Sequence, residues 1–410
     1  MIMQDNEKKP ALRFKGFTDP WEQRKLGEIA VFSKGVGYSK NDLCEEGTPI
    51  ILYGRLYTKY ETCIFDVDTF VKEKAGSVYS KGGEVIVPAS GETAEDISIA
   101  SVVVKPGILL GGDLNIVSPT AEYDSAFLAL TISSGATHKY LSSLAQGKSV
   151  VHLHNSDIQS VSAKFPTKRE QEKIHLIFGK IDTLITLHQR KYEKLVNIKK
   201  SMLDKMFPQN GVSVPEIRFK GFTDPWEQRK LGDVADIVGG GTPSTNNPNY
   251  WDGDIDWYAP AEIAGQIYFD SSQRKITEQG YENSSAKMLP PGTVLFTSRA
   301  GIGKTAILSK KGCTNQGFQS IVPHNDELDS YFVFSRTDEL KQYGELVGAG
   351  STFVEVSGKQ MAAMNLKMPT TIEEQQTIGR FFKRLDTLIT LHQREHIKPI
   401  LEVKRVKRNE

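Results

Sequence analysis

The sequence predicts an α+β protein built from two similar units, each a mainly β domain followed by a long helix. Two duplications indicate this organisation. Arg13–Gly27 (RFKGFTDPWEQRKLG) recurs at Arg218–Gly232, and Asp182–Arg190 (DTLITLHQR) recurs at Asp386–Arg394, in a chain of 410 residues. Because a long internal repeat marks one structural unit used twice, we expect an internal pseudo-twofold repeat.

We call the duplicated segments Arg13–Gly27 and Arg218–Gly232 the leaders. Each leader precedes an insert (residues 28–163 and 233–368) whose sequence differs between the two units. The inserts are rich in short β-branched and aromatic runs, such as Glu84–Pro88, Ser101–Lys105 and Thr293–Ser298, separated by Gly, Pro, Asn and Asp. This pattern predicts strands with turn-rich connections. Gly83–Glu92 also resembles Gly292–Gly301. We therefore expect the two inserts to share one fold with different surfaces.

A proline and a long helical stretch follow each insert. Apolar residues alternate at three- and four-residue spacing in Lys168–Phe207 and again after Pro369, which predicts a seam for packing against another helix. Pro399 lies inside the second stretch. Because proline costs about 3 kcal/mol in a helix interior, we expect a kink or fraying near Lys398. The predicted packing residues are Ile174, Ile177, Ile181, Leu184, Leu195, Ile198, Ile378, Phe381, Leu385 and Leu388.

Composition and charge are those of an ordinary soluble protein, with 39% hydrophobic and 25% charged residues. No apolar run approaches the roughly 20 residues of a membrane span, and the polar start does not predict a secretory signal. Three cysteines without a C-x-x-C pair favour a reducing cytoplasm. The inserts 28–163 and 233–368 carry net charges of −6 and −5, whereas 164–206 and 369–410 carry +6 and +3. Basic charge thus lies on the repeated frame, and any phosphate contacts must be local or come from a partner.

Two motifs suggest enzymes but fit other interpretations better. Gly301–Thr305 (GIGKT) ends like a nucleotide-binding P-loop, yet Ser298 stands where the first glycine is required. The apolar run after it predicts a second strand, and hence a hairpin turn. Asn247–Tyr250 (NPNY) resembles the tetrapeptide of amino-methyltransferases, but no glycine-rich cofactor loop precedes it. A turn is the favoured interpretation.

Histidines and carboxylates do not form a recognisable catalytic or metal-binding set. No other side chains at the spacing of metal ligands accompany the four histidines near the helical segments, which are His152, His154, His188 and His392. Helix packing is the favoured role for the two that lie in the duplicated DTLITLHQR segment. Asp182 and Asp386 share that segment, and we expect them to pair with basic neighbours or a partner. The sequence therefore predicts no catalytic residue, no metal site and no cofactor on this chain.

Turn residues of the two inserts are the stronger candidates for ligand contact. Arginine can bind guanine through two hydrogen bonds, and Asn or Gln can bind adenine in the same way. The candidate DNA-binding residues are Arg55, Lys59, Ser90, Glu92, Asp113, Asn115, Gly241, Thr242, Arg299, Lys304, Asn315 and Gln316. Solvent-exposed loop is the competing interpretation for each of them.

The order of motifs resembles that of the DNA specificity subunits of type I restriction–modification enzymes. A duplicated leader precedes GGGTPS, YWDGDIDWY and GIGKT in the second insert, and REQEKI (Arg169–Ile174) and EEQQTI (Glu373–Ile378) open the two helices. The resemblance implies target-recognition domains that each bind half of an asymmetric, bipartite DNA site. It also implies that the two long helices pack as an antiparallel coiled coil and act as spacers between the half-sites. It implies the divisions 1–165 (first target-recognition domain), 166–208 (first spacer helix), 209–368 (second target-recognition domain) and 369–410 (second spacer helix with a divergent tail).

The resemblance also implies the partners and leaves two other functions to compare. The expected partners are double-stranded DNA, two methyltransferase subunits and restriction or translocase subunits. S-adenosylmethionine, ATP and Mg are expected on those subunits, while this chain catalyses nothing. One alternative is a tandem-repeat protein scaffold without DNA recognition. The other is an enzyme, a fused methyltransferase or a nucleoside triphosphatase that uses Gly301–Thr305.

Overall fold

The computed structural model divides the chain into two compact units, unit 1 (Met1–Thr186) and unit 2 (Leu187–Glu410). The residues described are 10, 12–147, 150–208, 211–263, 265–299, 301–348 and 355–406, with side chains described as far as residue 394. The α+β class predicted from the sequence is confirmed, because each unit contains β-sheets, short helices and part of at least one long helix.

Unit 1 consists of short strands and helices before the first long helix. Its strands are β1 (Glu22–Lys25), β2 (Ala30–Lys34), β3 (Leu43–Cys44), β4 (Thr48–Ile51), β5 (Cys63–Ile64), β6 (Phe70–Val71), β7 (Glu84–Pro88), β8 (Ser90–Gly91), β9 (Ser101–Val103), β10 (Leu109–Leu110), β11 (Leu114–Pro119), β12 (Val151–His152) and β13 (Ser162–Phe165). Its helices are α1 (Leu26–Ile29), α2 (Arg55–Thr58), α3 (Ala94–Ile97), α4 (Ser125–Ser133), α5 (Gly135–Leu144) and α6 (Asn155–Ser160), with a 3₁₀ turn at Lys40–Asp42.

The first long helix, α7 (Lys168–Met206), begins in unit 1 and continues into unit 2. The strands of unit 2 are β14 (Glu227–Lys230), β15 (Ala235–Gly239), β16 (Trp251–Tyr258), β17 (Tyr268–Phe269), β18 (Arg274–Ile276), β19 (Val294–Phe296), β20 (Thr305–Leu308), β21 (Cys313–Thr314), β22 (Gln319–Pro323) and β23 (Asn365–Met368). Its helices are α8 (Leu231–Val234), α9 (Glu278–Glu282), α10 (Ser330–Ser335), α11 (Thr337–Gly348), α12 (Gly358–Ala362) and α13 (Ile372–Val406), with 3₁₀ turns at Pro248–Tyr250 and Pro260–Glu262.

The central sheets of the two units have the same topology. Their strand orders are β2-β11-β7-β9-β5 in unit 1 and β15-β22-β19-β20-β17 in unit 2. In both sheets the neighbouring strands are antiparallel, except that β5 runs parallel to β9 and β17 runs parallel to β20. The prediction that the two inserts share one fold is therefore confirmed.

The duplicated leader closes each unit against the start of its long helix. In unit 2, Arg218 Nε and Nη2 donate to the two carboxylate oxygens of Glu374 at 2.7 and 2.8 Å, and Trp226 Nε1 donates to the same carboxylate at 3.2 Å. In unit 1, Arg13 and Glu170 form the same two-bonded pair at 2.7 Å. Strands β1 and β14 of the leaders pair with β13 and β23, which precede the helices. The duplicated leader sequence therefore forms the same ion pair and the same strand pairing in both units.

Each unit has a core in which a helix of the insert packs over the sheet. In unit 1, Phe127 and Leu128 of α4 lie with Val85 and Val117 of the sheet. In unit 2, Phe332 of α10 belongs to an aromatic cluster completed by Phe207, Trp226 and Phe382. Burying a Phe side chain contributes about 1.5–3 kcal/mol through the hydrophobic effect. The core of unit 2 therefore includes residues from both long helices.

The C-terminal half of α7 runs antiparallel to α13 within unit 2. The Nδ1 atoms of His188 and His392 are 2.9 Å apart, and Lys199 Nζ contacts Asp386 Oδ1 at 2.6 Å. As residue numbers rise on α7 they fall on α13, which establishes the opposite directions. The predicted pairing of a helical aspartate with a basic neighbour is confirmed for Asp386. The coiled-coil packing predicted along the whole seam stays a prediction.

The structure corrects the predicted packing seam at four positions. Ile177, Ile181, Leu184 and Leu388 are 38%, 38%, 55% and 42% exposed. On α7, Ile174 is the last of the predicted residues to pack against the core of unit 1, so the turns after it are left open to solvent. The remaining predicted residues contact the core of unit 2: Leu195, Ile198, Ile378, Phe381 and Leu385.

The second long helix does not end at its proline. Helix α13 runs to Val406 and includes Pro399, so the fraying expected near Lys398 is wrong, whereas the kink expected as its alternative stays a prediction. A proline removes one hydrogen bond of the helix, and the turns on either side keep their own bonds. Among the residues described, no helix is long and apolar enough to cross a membrane.

Candidate nucleic-acid interface

Several loops of unit 1 meet at one end of the five-stranded sheet. Gly35 N donates to Leu114 O at 3.0 Å, Ala89 N to Asp113 O at 2.7 Å, and Leu153 N to Ala89 O at 3.0 Å. Since these bonds continue the strand register, they place the turns after β2 and β7 beside the turn before β11. We call this group the loop edge of unit 1. It comprises residues 34–38, 52–55, 89–93, 111–113 and 152–155.

Unit 2 has the same edge, held by equivalent hydrogen bonds. Gly241 N donates to Thr314 O at 2.8 Å, Ser298 N to Gly317 O at 2.9 Å, and Val356 N to Ser298 O at 2.9 Å. The loop edge of unit 2 comprises residues 239–243, 259–262, 297–299, 301–304, 315–317 and 355–357. The backbone of the edge is therefore shared by the two units, whereas its side chains differ.

Glycines hold these edges together through close backbone contact. A Cβ on Gly35 would lie 1.9 Å from Gly111 O, and one on Gly240 would lie 2.0 Å from Asn315 O. A Cβ on Gly241, a candidate contact residue, would lie 2.3 Å from the carbonyl carbon of Ser285. The second and third glycines of the GGGTP turn, Gly240 and Gly241, are therefore required for packing.

Arg55 is not available to bind a base, contrary to the sequence prediction. It lies just after β4, beside the loop edge, and its guanidinium donates to Asp68 at 2.7 Å and to Glu61 at 2.7 Å. The side chain is only 8% exposed. The Lys59 ammonium, 2.9 Å from the same Asp68 carboxylate, is exposed. Both cations are therefore paired with acids of their own unit, which sequence spacing could not reveal.

This acidic–basic cluster predicts a specific pH dependence of stability. The Lys59 ammonium, together with Arg55, lowers the pKa of Asp68 from 3.8 to about 2. A carboxyl whose pKa is lower in the folded state stabilises the fold above its unfolded pKa, and this stabilisation is lost as the pH falls through the folded pKa. We expect Asp68→Asn to be less stable than the wild type near neutral pH, with a difference that shrinks between about pH 4 and 2.

Thermal unfolding of both proteins across this pH range measures that difference. Glu45→Gln is a matched control, because Glu45 is exposed on the same unit. A gap between wild type and Asp68→Asn that stays constant down to pH 2 would contradict the prediction.

Two further candidates of unit 1 have structural roles. Asn115 is fully buried, and its Nδ2 donates to Leu153 O at 2.8 Å. Ser90 is 7% exposed, and its Oγ lies 3.2 Å from His152 Nδ1. The structure corrects Asn115 to a residue that fixes the loop edge. Glu92 and Asp113 are exposed at the loop edge, and their contact with DNA stays a prediction.

The candidates of unit 2 lie together on its loop edge. Thr242 Oγ1 donates to the side-chain oxygen of Gln316, and Asn315 Oδ1 accepts from Gly317 N at 2.6 Å. Lys304 is exposed at the end of the β19–β20 hairpin, and Arg299 is half-buried in the same turn. The structure thus brings these residues to one surface, although contact with DNA stays a prediction.

The GIGKT segment is a hairpin turn, as predicted. Strand β19 pairs antiparallel with β20, with Phe296 opposite Thr305. A P-loop would need a helix to begin at Lys304-Thr305, whereas a strand begins there. The NPNY segment forms a 3₁₀ turn before β16, again as predicted.

The described residues contain no group of three or more His, Cys, Asp or Glu side chains that could hold a metal ion. Asp182 accepts a hydrogen bond from Thr62 Oγ1 at 3.0 Å, and its pairing with a basic neighbour or a partner stays a prediction. His188 and His392 contact each other between the helices, which confirms their packing role.

Sequence reasoning missed several residues at the loop edges. In unit 1, the rings of His152 and His154 are exposed and stack with centroids 6.4 Å apart. Tyr57 donates its hydroxyl to Ser90 O at 2.8 Å. In unit 2, Glu355 lies opposite Arg299 in an isolated antiparallel bridge. These residues could have been identified only from the strand pairing that places them beside the predicted residues. A single sequence does not show which strands pair.

Comparison with known proteins places both units in one family. The model described as "Type I restriction modification DNA specificity domain" matches residues 18–197 and 223–401. The MjaIX type I restriction enzyme specificity subunit of Methanocaldococcus jannaschii is 36% identical over 167 residues, which are 40% of this chain and 38% of that protein. The EcoR124I/EcoR124II specificity subunit of Escherichia coli is 28% identical over 170 residues, which are 40% of this chain and 41% of that protein.

A solved structure has the same fold over most of its length. The crystal structure of the S subunit of a type I restriction–modification system from M. genitalium superimposes with a TM-score of 0.62 at 13% identity, covering 96% of each chain. At this identity the likeness concerns the fold.

Proposed function

The chain belongs to the type I restriction–modification DNA specificity family, and we propose that it is the DNA sequence-specificity subunit of such a complex. In this proposal each loop edge binds one half of an asymmetric, bipartite site in double-stranded DNA. The observation that carries the proposal is the pair of loop edges with one backbone and two sets of side chains. Different side chains on the same backbone suit the recognition of two different short sequences.

We propose the division of the chain that the family resemblance implies. Residues 1–165 and 209–368 are the target-recognition domains, and residues 166–208 and 369–410 are the spacer helices. The helices supply much of the chain's excess positive charge, which favours contact with phosphates or with acidic partner surfaces. The target-recognition inserts themselves are acidic, so we expect the free chain to bind DNA weakly.

Exposed apolar residues on α7 support the docking of other subunits. Leu176, Phe178 and Leu184 are between 48% and 55% exposed on the part of α7 that belongs to unit 1. Large apolar side chains grouped in this way mark interaction surfaces. We propose that two methyltransferase subunits bind there and that restriction or translocase subunits join them in the cytoplasm.

Catalysis in this proposal belongs to the partners. The methyltransferase subunits bind S-adenosylmethionine and methylate adenine, and the restriction subunits use ATP and Mg. This chain contributes target selection. The hairpin at Gly301–Thr305 supports this assignment against a nucleoside triphosphatase, because its backbone does not form a phosphate-binding loop.

The test is a genome-wide map of methylated adenines in cells that carry the chain with its methyltransferase partner. We expect a split motif of two short half-sites around a constant gap, absent from cells that lack the chain. A partner that binds the chain but methylates no chain-dependent motif would instead support a protein scaffold.

A further inference from the structure

One cross-strand position of the loop edge carries different chemistry in the two units. In unit 1, Ser90 of β8 lies opposite His152 of β12. In unit 2, Arg299 lies opposite Glu355. The equivalence is set by the backbone, because the residues just before Ser90 and Arg299 accept hydrogen bonds from Leu153 N and Val356 N at 3.0 and 2.9 Å.

The two pairs also differ in how their side chains are used. Ser90 Oγ is 3.2 Å from His152 Nδ1, so that pair has its own hydrogen bond. Within the part of the chain that the structure describes, neither Arg299 nor Glu355 has a side-chain hydrogen bond or an ion pair, and both are half-buried. Their hydrogen-bonding groups are therefore available to a ligand.

A structural role does not account for Arg299. The other arginine at a loop edge, Arg55, is buried and bonded to two carboxylates of its own unit. An ion pair between partly exposed Arg and Glu side chains would contribute only about 1 kcal/mol to stability. Arg299 and Glu355 carry opposite charges and are cross-strand neighbours, yet they form no ion pair. This arrangement is better explained by binding to a ligand than by a contribution to folding.

We infer that Arg299 and Glu355 select one G·C base pair in the half-site bound by unit 2, an inference that rests on the proposed function. Arginine donates two hydrogen bonds to guanine O6 and N7, and glutamate accepts from cytosine N4 in the same major groove. Cross-strand neighbours have Cβ atoms about 5 Å apart, which suits the two bases of one pair. Unit 1 carries Ser90 and His152 at this position, so we do not expect the same preference there.

The experiment maps the methylation motif of complexes containing variant chains. The wild-type map comes first, and its dependence on the chain tests the proposed function by itself. The double variant Arg299→Ser/Glu355→His gives unit 2 the residues of unit 1. We expect one G·C position in one half-site to lose its preference of about 5- to 150-fold over other bases. The other half-site is expected to stay unchanged.

Two single variants separate base selection from charge and folding. Arg299→Lys keeps the positive charge but not the planar fork that binds guanine, so we expect it to relax the same position. Lys310→Ser removes one positive charge at the opposite end of β20 and should leave the motif intact. An unchanged motif in Arg299→Lys overturns the inference, as does loss of methylation at every sequence in both Arg299 variants. In each case the methylation motif of the wild type would still support the proposed function.

Discussion

Replacement of Glu374 by Gln is expected to lower the free energy of unfolding of unit 2 by about 3 kcal/mol. The Glu374 side chain is 2% exposed, and its carboxylate accepts from Arg218 and Trp226. The neutral amide would leave the guanidinium of Arg218, itself 11% exposed, without a counter-charge. A buried charge that loses its partner costs far more than an exposed ion pair contributes.

Urea unfolding followed by tryptophan fluorescence measures this effect, because Trp226 belongs to the same cluster. Glu373→Gln is the matched control, since the neighbouring Glu373 is exposed on the same turn of α13. A loss below about 1 kcal/mol in Glu374→Gln would place this ion pair among the weak surface pairs. It would then not explain why the leader is duplicated.

A methyl group on Gly240 is expected to disrupt the loop edge of unit 2. The Cβ of Gly240→Ala would lie 2.0 Å from Asn315 O and 2.4 Å from Thr314 O, so the two loops must separate. Because backbone atoms cannot turn aside as a side chain can, we expect a loss of about 1–3 kcal/mol in stability. We also expect the half-site bound by unit 2 to be lost or relaxed.

Gly239→Ala provides the control for this variant. Its Cβ would approach only the Gln319 side chain, at 3.6 Å, which is an ordinary contact. Thermal unfolding and methylation mapping of the two variants should therefore differ. Equal stability and an equal motif in Gly239→Ala and Gly240→Ala would show that the close approach does not support recognition.

The sequence predicted the elements whose signals are local or repeated. The duplications established two units, the β-branched runs at Glu84–Pro88 and Thr293–Ser298 marked strands, and the apolar spacing marked both long helices. The turn at Gly301–Thr305 followed from the strand signals on both sides. In these cases residues close together in the chain determine the outcome.

The helices inside the inserts were not predicted. Helix α4 is only nine residues long, and five of its side chains are buried. Because it is apolar on all faces, it lacks the periodicity that distinguishes a helix from a buried strand. The one available signal was its N-cap, where Asp124 accepts from Phe127 N at 2.8 Å. The equivalent Asp329 caps α10 in the same way.

Only some of the candidate contact residues are accessible in the structure. Whether a side chain is accessible depends on contacts with residues far away in the sequence. Arg55 and Asn115 have suitable chemistry for binding bases, but Asp68 and Leu153 engage them instead. Glu355 was missed because its significance comes from Arg299, 56 positions earlier in the chain. Turn composition located the surface, whereas tertiary contacts decided which of its side chains are available.

The closure of each unit by its own leader and helix start has a consequence for evolution. Arg218 and Glu374, like Arg13 and Glu170, bracket an insert without depending on its surface residues. Substitutions at separated sites have nearly independent effects on stability, so the loop edges can diverge while the frame is conserved. Natural variants of this chain should therefore differ most at exposed edge positions. The paired arginine and glutamate should be inherited together.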